Sequence, residues 1–320
     1  MTGPSSPART GKRTAVPRTA AFLAAAALTL AGCAEPAATG KDAPGAAASA
    51  VPTADVVSGI AKDPAAAALL PDAVRARGTL ALASSISSLP GAVYLPDGKT
   101  VAGEDIDLAD AVGKTLGLRL KREPASFEAI LPALGSGRYD VGTGNFGVTD
   151  ARRKTLDFVT YINDGQGFAV REDSALKKVT ALTQLCGLTV ATGAGTTFEA
   201  TLQKERRQCT AAGKKPYDVK TYAEVSALYA SLQQGRTDVV MSTVNGLRYA
   251  VSRQPGLRFL GAYKRLDVGF ALKKGSPLAP AFRAAVNHLI ETGDYRKILK
   301  KWGTADSALA TSRISPPEIR

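Results

Sequence analysis

An α/β fold built from two similar lobes is what this chain of 320 residues predicts, on three observations. Short strand-like stretches alternate with longer stretches of helical period from Thr79 onward, the rhythm of α/β proteins. One helix-to-strand turn occurs twice, at Gly137 and at Gly235. The chain that remains after an export leader is long enough for one large or two modest cores.

The leader comes first. Arg9, Lys12, Arg13 and Arg18 precede an apolar run over residues 20–30. The run is too short to span a bilayer as a helix but suits the core of a signal peptide. It ends on Leu30-Ala31-Gly32-Cys33, a lipobox in which the Cys33 thiol receives diacylglycerol and becomes the new N-terminus. The mature protein is therefore expected outside the cytoplasm, lipid-anchored to the outer face of the cell membrane. Residues 33–68, rich in Ala, Pro, Gly, Thr and Ser, read as a disordered tether.

Order is expected from residues 69–77 and the strand at 79–83. An amphipathic helix follows over 106–116, an alternating strand over 118–121, a helix over 127–134 and an extended stretch from Asp140. The same rhythm returns after the strand at 188–191. Leu134-Gly-Ser-Gly137-Arg138-Tyr-Asp140-Val141 is echoed by Leu232-Gln-Gln-Gly235-Arg236-Thr-Asp238-Val239. Each copy predicts a helix ending on a left-handed glycine cap, with a buried strand directly after it. Two such copies make two α/β lobes. Ligands of such sheets bind beyond the carboxyl ends of the strands, which points to Gly144-Asn-Phe-Gly-Val148 and Ser242-Thr-Val-Asn245.

Composition narrows the function. Loss of the four leader cations takes the formal charge from +13 to about +9. The remaining cations are scattered and none lies in an aromatic-rich nucleic-acid motif, so attraction to anionic lipid or wall polymers is the milder reading. A single histidine, His288, in a helical pattern leaves no Ser-His-Asp or Cys-His arrangement and argues against a metal site. In an oxidising compartment the remaining pair, Cys186 and Cys209, reads as a disulfide.

Two features could hold an anion. Arg152, just past a strand end, can present its planar fork to a carboxylate; it reads equally as a surface cation. Gly193-Ala-Gly195-Thr196-Thr197-Phe-Glu199 opens a helix with capping-box spacing at Thr196 and Glu199, and its free N–H groups favour an anion. Taken alone, that turn is also an ordinary structural cap.

Together these pieces resemble the family 3 bacterial extracellular solute-binding proteins, which serve ABC importers. The resemblance runs over residues 69–303. It includes Gly103-Glu104-Asp105-Ile106-Asp107-Leu108 with Ala111, Val112 and Leu116 in register, Phe127, both Gly-Arg-x-Asp turns, Thr149 to Arg152, Asp157-Phe158, and an ending from Gly293-Asp-Tyr295 to Lys301-Trp302-Gly303. It implies a two-lobed Venus-flytrap fold, each lobe a mixed sheet flanked by helices. Lobe 1 would comprise residues 69–168 and 270–303, lobe 2 residues 169–269, with crossing strands at 167–171 and 266–272 and a C-terminal tail over 304–320. It implies a monomer with no cofactor, capturing an amino acid or related carboxylate-bearing solute and delivering it to a membrane permease. Carried over by position, Arg152 pairs with the ligand carboxylate, Gly147 gives it a backbone N–H, and Thr197, beside Thr196, meets it from the second lobe. Phe127 forms one wall of an aromatic clamp. Asn145 meets the α-amine, with Thr243 and Asn245 in the region where the family usually places an aspartate. Many members carry a disulfide on the second lobe.

Two departures stand out. Thr243 replaces the usual aspartate, and the loop at 84–92 lacks both the usual aromatic and any acid. Both lean the reading away from cationic side chains and toward a ligand with an altered amine or none. An enzyme on the same fold, of prephenate or arogenate dehydratase type, would need a general acid. Glu104 is the odd acid, and its position reads as a surface helix start. A sensing module for a separate receptor is the third reading.

Overall fold

The computed structural model of the protein describes residues 51–319. The expected signal peptide and Cys33 lie outside the described residues. The described part of the expected tether is folded, which corrects the reading of residues 51–68 as disordered. Val51, Val56, Val57 and Ile60 pack against the core, and Asp63 caps α1 (Pro64–Ala68), whose Ala66 and Ala67 are buried. Alanines look uninformative in composition, yet their small side chains let this helix sit close to residues 279–292.

Helix α2 (Asp72–Arg77) leads into β1 (Thr79–Ser84). A hairpin of β2 (Val93–Tyr94) and β3 (Val101–Ala102) returns the chain to α3 (Glu104–Leu116), β4 (Arg119–Pro124), α4 (Phe127–Gly135) and β5 (Val141–Thr143). The start of α3 is fixed by Gly103, at φ 155°, where a Cβ would stand 1.9 Å from the Gly91 carbonyl oxygen. Only glycine fits there. The acids that follow have separate tasks. Asp107 accepts from Trp302 Nε1 at 2.7 Å and pairs with Lys301 at 2.8 Å, tying α3 to the end of the chain. Glu104 is not on the surface as expected; it is 1 % exposed and accepts from the Thr304 hydroxyl. Burial, with Asp105 and Asp164 nearby, holds its carboxyl well above the usual carboxylate range.

The long strand β6 (Leu156–Arg171) carries the chain into the second half. There β7 (Thr189–Gly193), α5 (Thr197–Glu205), α6 (Arg207–Ala211), β8 (Asp218–Tyr222), α7 (Val225–Gln233), β9 (Val239–Thr243) and α8 (Val244–Arg253) repeat the first half's order. Strand β10 (Leu257–Lys273) returns antiparallel to β6, and α9 (Ala279–Thr292) and α10 (Asp294–Trp302) complete the first half.

The sheet order is β4-β1-β5-β10-β6-β9-β7-β8. Strand β1 runs parallel to β4 and β5, and β7 parallel to β8 and β9. Among the strands of the described residues only β6 and β10 belong to both halves: β10 meets β5 at Ala271, while β6 meets β9 from Gln166 to Val170. The protein is thus an α/β molecule of two lobes on a mixed sheet. Each lobe has apolar residues on both sheet faces; in β7, Val190 joins the cluster with Leu202 while Ala191 joins that with Leu228 and Leu247.

The sequence echo has a physical cause. Gly137 and Gly235 both hold positive φ. After them, Asp140 exchanges bonds with Ala81, its N–H donating to the Ala81 carbonyl and its carboxylate accepting from the Ala81 N–H at 2.8 Å. Asp238 does the same with Thr189, again at 2.8 Å. In each lobe this aspartate locks the third strand to the start of the first.

The expected disulfide joins Cys186 to Cys209, with Cα atoms 5.6 Å apart, holding α6 beside the turn that precedes β7. Residues 305–318 lie along the crossing strands: Ser312 donates to the Thr160 carbonyl, Arg313 pairs with Asp267, and Lys264 with Glu318. No helix of the described residues is long and apolar enough to cross a membrane.

Candidate functional site

The carboxyl ends of the strands of both lobes open onto one cavity of about 170 Å³. Lobe 1 supplies residues 85–92 after β1, Ser126 and Phe127 at the start of α4, and Gly144, Asn145, Gly147 and Arg152 after β5. Lobe 2 supplies Gly193 to Phe198 without Gly195, Tyr222 to Val225, and Ser242 and Thr243. The cavity lies at the strand ends that the topology singles out.

Arg152 is the centre of charge. Its Nη1 donates to the Gly147 carbonyl at 3.1 Å and its Nη2 to Gly195, in the other lobe, at 3.3 Å. The guanidinium also lies 5.9 Å from the centre of the Phe127 ring, which packs on Phe146 with centroids 4.9 Å apart. No carboxylate among the described residues forms an ion pair with Arg152. Burial without a counter-charge pushes its guanidinium down to about 10. It remains cationic at neutral pH, and the cavity beside it is the place from which an anion can reach it.

Gly147 bridges to Val268, a pairing carried by its neighbours, whose bonds run from Val148 N to Asp267 and from Gly269 N to Phe146. Its own N–H makes no hydrogen bond within the described residues, so it is free for an anion. Thr196 caps α5, accepting from the Glu199 N–H at 3.2 Å. The reciprocal bond goes to Gly195 N at 2.8 Å rather than to Thr196, so Glu199 ties down the loop as well as the helix. Thr197 and Phe198 carry the first N–H groups of this helix into the cavity wall.

Asn145 holds a left-handed φ of 54°, which asparagine tolerates. Its N–H donates to Asp105 at 3.1 Å and its Nδ2 to Asp164 at 3.3 Å. Asp105, also in the cavity lining, takes the Tyr161 hydroxyl on its other oxygen at 2.6 Å. Burial raises its carboxyl above the ordinary value. Thr243 lines the cavity, but its hydroxyl already accepts from Gly246 N at 3.0 Å as the cap of α8. Asn245, expected at the site, is 6 % exposed and lies off the cavity. Its side chain exchanges hydrogen bonds with Ser307, because as the second residue of α8 it turns inward toward the crossing strands.

Sequence reasoning missed Glu224. It precedes α7 and lines the cavity, and its carboxylate makes no hydrogen bond or ion pair within the described residues. Nothing in its local pattern distinguishes it from a solvated acid; only the position of the β8 end, beside the Gly193–Thr197 turn, brings it to the site. Glu104 does not line the cavity, so it has no path to a substrate there as a general acid. Among the described residues no group of three His, Cys, Asp or Glu could hold a metal ion.

Comparison with known proteins gives a consistent result. Residues 82–305 match the profile of "Bacterial extracellular solute-binding proteins, family 3". The chain is 30 % identical over 253 residues to the arginine-binding protein ArgT of Corynebacterium glutamicum, covering 78 % of this chain and 82 % of ArgT. Among solved structures, an ancestral arginine-binding protein bound to arginine superposes with a TM-score of 0.64 at 30 % identity, over 71 % of this chain and 98 % of that one. The ancestral amino acid-binding protein AncCDT-1, a precursor of cyclohexadienyl dehydratase, gives 0.64 at 26 % identity, over 72 % and 98 %.

Proposed function

The chain belongs to the bacterial extracellular solute-binding proteins of family 3, and from that premise we propose that it captures a free amino acid between its lobes and hands it to the permease of an ABC importer. The observation that carries this reading is Arg152, a half-buried guanidinium with no paired carboxylate among the described residues, opening onto a cavity shared by both lobes. The desolvation of such a cation is offset in part by its two carbonyl bonds, and an arriving anion would offset it further. The ligand carboxylate would take the Arg152 fork, the Gly147 N–H and the first N–H groups of α5 at Thr197. Phe127 would cover the ligand's apolar part. Asn145, Thr243 and the hydroxyls of Ser85, Ser88 and Ser242 would receive its polar remainder, and Glu224 its ammonium. Relatives named for arginine and cystine support an amino-acid ligand.

Closure over the ligand would proceed by bending of β6 and β10, and the closed form would be what the permease recognises. Cys33 would carry the lipid that keeps the protein at the outer face of the membrane. Calorimetric titration of the protein, refolded to strip carried ligand, against the common amino acids and their deaminated relatives tests the reading. Micromolar or tighter binding of one amino acid supports it. Silence from all of them, with heat from a compound lacking a free amine, replaces the amino acid with another carboxylate.

A further inference from the structure

Three carboxyl groups lie together at the junction of the lobes, all buried: Glu104 is 1 % exposed, Asp105 3 % and Asp164 0 %. Glu104 and Asp105 are held within lobe 1, by Thr304 and by Tyr161 with the Asn145 N–H. Asp164 differs. It sits in β6 opposite Leu266 of β10, in the stretch that passes between the lobes. Its two oxygens serve different lobes. One accepts from Asn145 Nδ2 at 3.3 Å, on the cavity loop that follows β5. The other accepts from the backbone N–H of Asn245 at 3.1 Å, in the first turn of α8, whose cap Thr243 stands in the opposite cavity wall. The backbones pass closely here: a Cβ on the adjacent Gly165 would stand 2.1 Å from the Lys264 carbonyl oxygen, so only glycine fits beside Asp164.

The charges around Asp164 can be named element by element. From α3 come Glu104 and Asp105, and from β10 Arg265, which donates to the Asn163 carbonyl at 2.9 Å. Tyr161 lies on β6 itself, and Tyr295 of α10 donates to its carbonyl at 2.7 Å. The loop after β5 and the start of α8 present only neutral asparagines. Burial is the main cause that pushes the Asp164 carboxyl up to about 6, against the hydrogen bonds from Asn245 and Asn145. An ionised carboxylate accepts on both oxygens, whereas a protonated one turns one oxygen into a donor. Both partners here are donors, so protonation removes an acceptor position; the Asn245 N–H cannot reverse its role, and Asn145 keeps its bond only by turning its amide over to accept at Oδ1.

We propose that Asp164 is the positioning residue that joins the two walls of the binding site, its ionised carboxylate holding the Asn145 loop and the start of α8 together and its protonation loosening that hold. The proposal deepens the binding reading above, since it takes the cavity as the site, but its test needs no ligand and so fails or succeeds separately. Spin labels on cysteines introduced by Lys121→Cys on β4 and Lys220→Cys on β8, the opposite sheet edges, report the inter-lobe distance by pulsed electron resonance. The mature protein should give one narrow distribution at pH 8 and a broader one at pH 5, with half-change near pH 6. Asp164→Asn should give the broad distribution at both pH values. Asn145→Ala, which removes one partner and leaves Asp164 in place, should be broad at pH 8. Should Asp164→Asn fail to fold, the wild-type titration and the Asn145 variant decide alone. A wild-type distribution identical at pH 5 and 8, or an Asp164→Asn variant that titrates like the wild type, overturns the proposal.

Discussion

Replacement of Arg152 by methionine removes the guanidinium while keeping most of the apolar stem that lies against Phe127. The native group makes two hydrogen bonds to carbonyls, at 3.1 and 3.3 Å, one in each lobe. Both are to neutral acceptors, and the cation has no ion-pair partner among the described residues. A charge-assisted bond to a ligand carboxylate is worth about 1.5–3 kcal/mol, and the Arg152 fork can make two. The dissociation constant should therefore rise at least roughly 10- to 150-fold. Arg152→Lys keeps the charge and loses the fork, so it should fall between the wild type and Arg152→Met. Stability should move the other way or hardly at all. Losing two carbonyl bonds costs about 1 kcal/mol each, but the variant also sheds a cation that burial disfavours. Calorimetry for affinity and thermal melts of the ligand-free protein separate the two effects. An unchanged dissociation constant in Arg152→Met removes Arg152 from the site; a loss of affinity matched by a collapse in melting temperature reduces its role to scaffolding.

Glu224→Gln should weaken ligands bearing an ammonium by roughly 2- to 5-fold, the range of an exposed charge pair, and leave their deaminated analogues unaffected in the same titrations. Gly147→Val places branched carbons where even a Cβ would meet Leu266 at 3.2 Å and Thr197 at 3.5 Å; affinity should fall at least tenfold, read by calorimetry, with circular dichroism unchanged. Replacing Cys186 and Cys209 by serine opens a loop with a sequence separation of 23 and should cost about 3 kcal/mol on the chain-entropy model, measured by denaturant titration. Asp164 predicts an inverted pH dependence. Its carboxyl titrates near 6 in the fold against 3.8 ordinarily, so the folded state binds the extra proton. This contribution is full below the ordinary value and is lost as pH rises through 6, amounting to about 3 kcal/mol. The difference in unfolding free energy between Asp164→Asn and wild type should therefore grow from pH 5 to pH 8; a difference that is constant across that range refutes the assignment.

What the sequence made legible was whatever local chemistry repeats. The Gly-Arg-x-Asp turns could be read because both lobes solve the same problem, ending a helix and pinning a strand with one aspartate. The capping box at Thr196 and the signature at Gly103 were visible because each is confined to a few consecutive residues. Glu104 was misread for the opposite reason: a glutamate at a helix start is ordinarily solvated, and what buries this one is Thr304, brought in by the far end of the chain. Asn245 was expected at the cavity because it is near Thr243, but the start of α8 turns it inward to Ser307. Glu224 and Asp164 carry no motif at all. Their neighbours, Gly193 and Asn145 among them, come from other strands, and periodicity reports which face a residue takes, not what stands opposite it.

The charges at this site make sense only as a set. Stability alone would discard a half-buried arginine with no ion-pair partner among the described residues, and would discard the Asp105 and Asp164 carboxyls buried at a strand crossing. Each departs from the ordinary pairing of buried charge. Their arrangement separates sign by position: the cation lies where Gly147 and Gly195 bring the lobes together, the carboxyls lie beneath Asn145, and Asp105 reaches the cavity lining. A solute with a carboxylate at one end and an ammonium at the other aligns with that field, and a solute with the carboxylate alone meets only its favourable half. Neutral Thr243 removes one point charge from this arrangement without reversing its direction. Preference for a free amine in this chain would then rest on Glu224 and on the field of the junction rather than on one dedicated aspartate, so it should weaken as pH falls through the titration of Asp164 while recognition of the carboxylate by Arg152 persists.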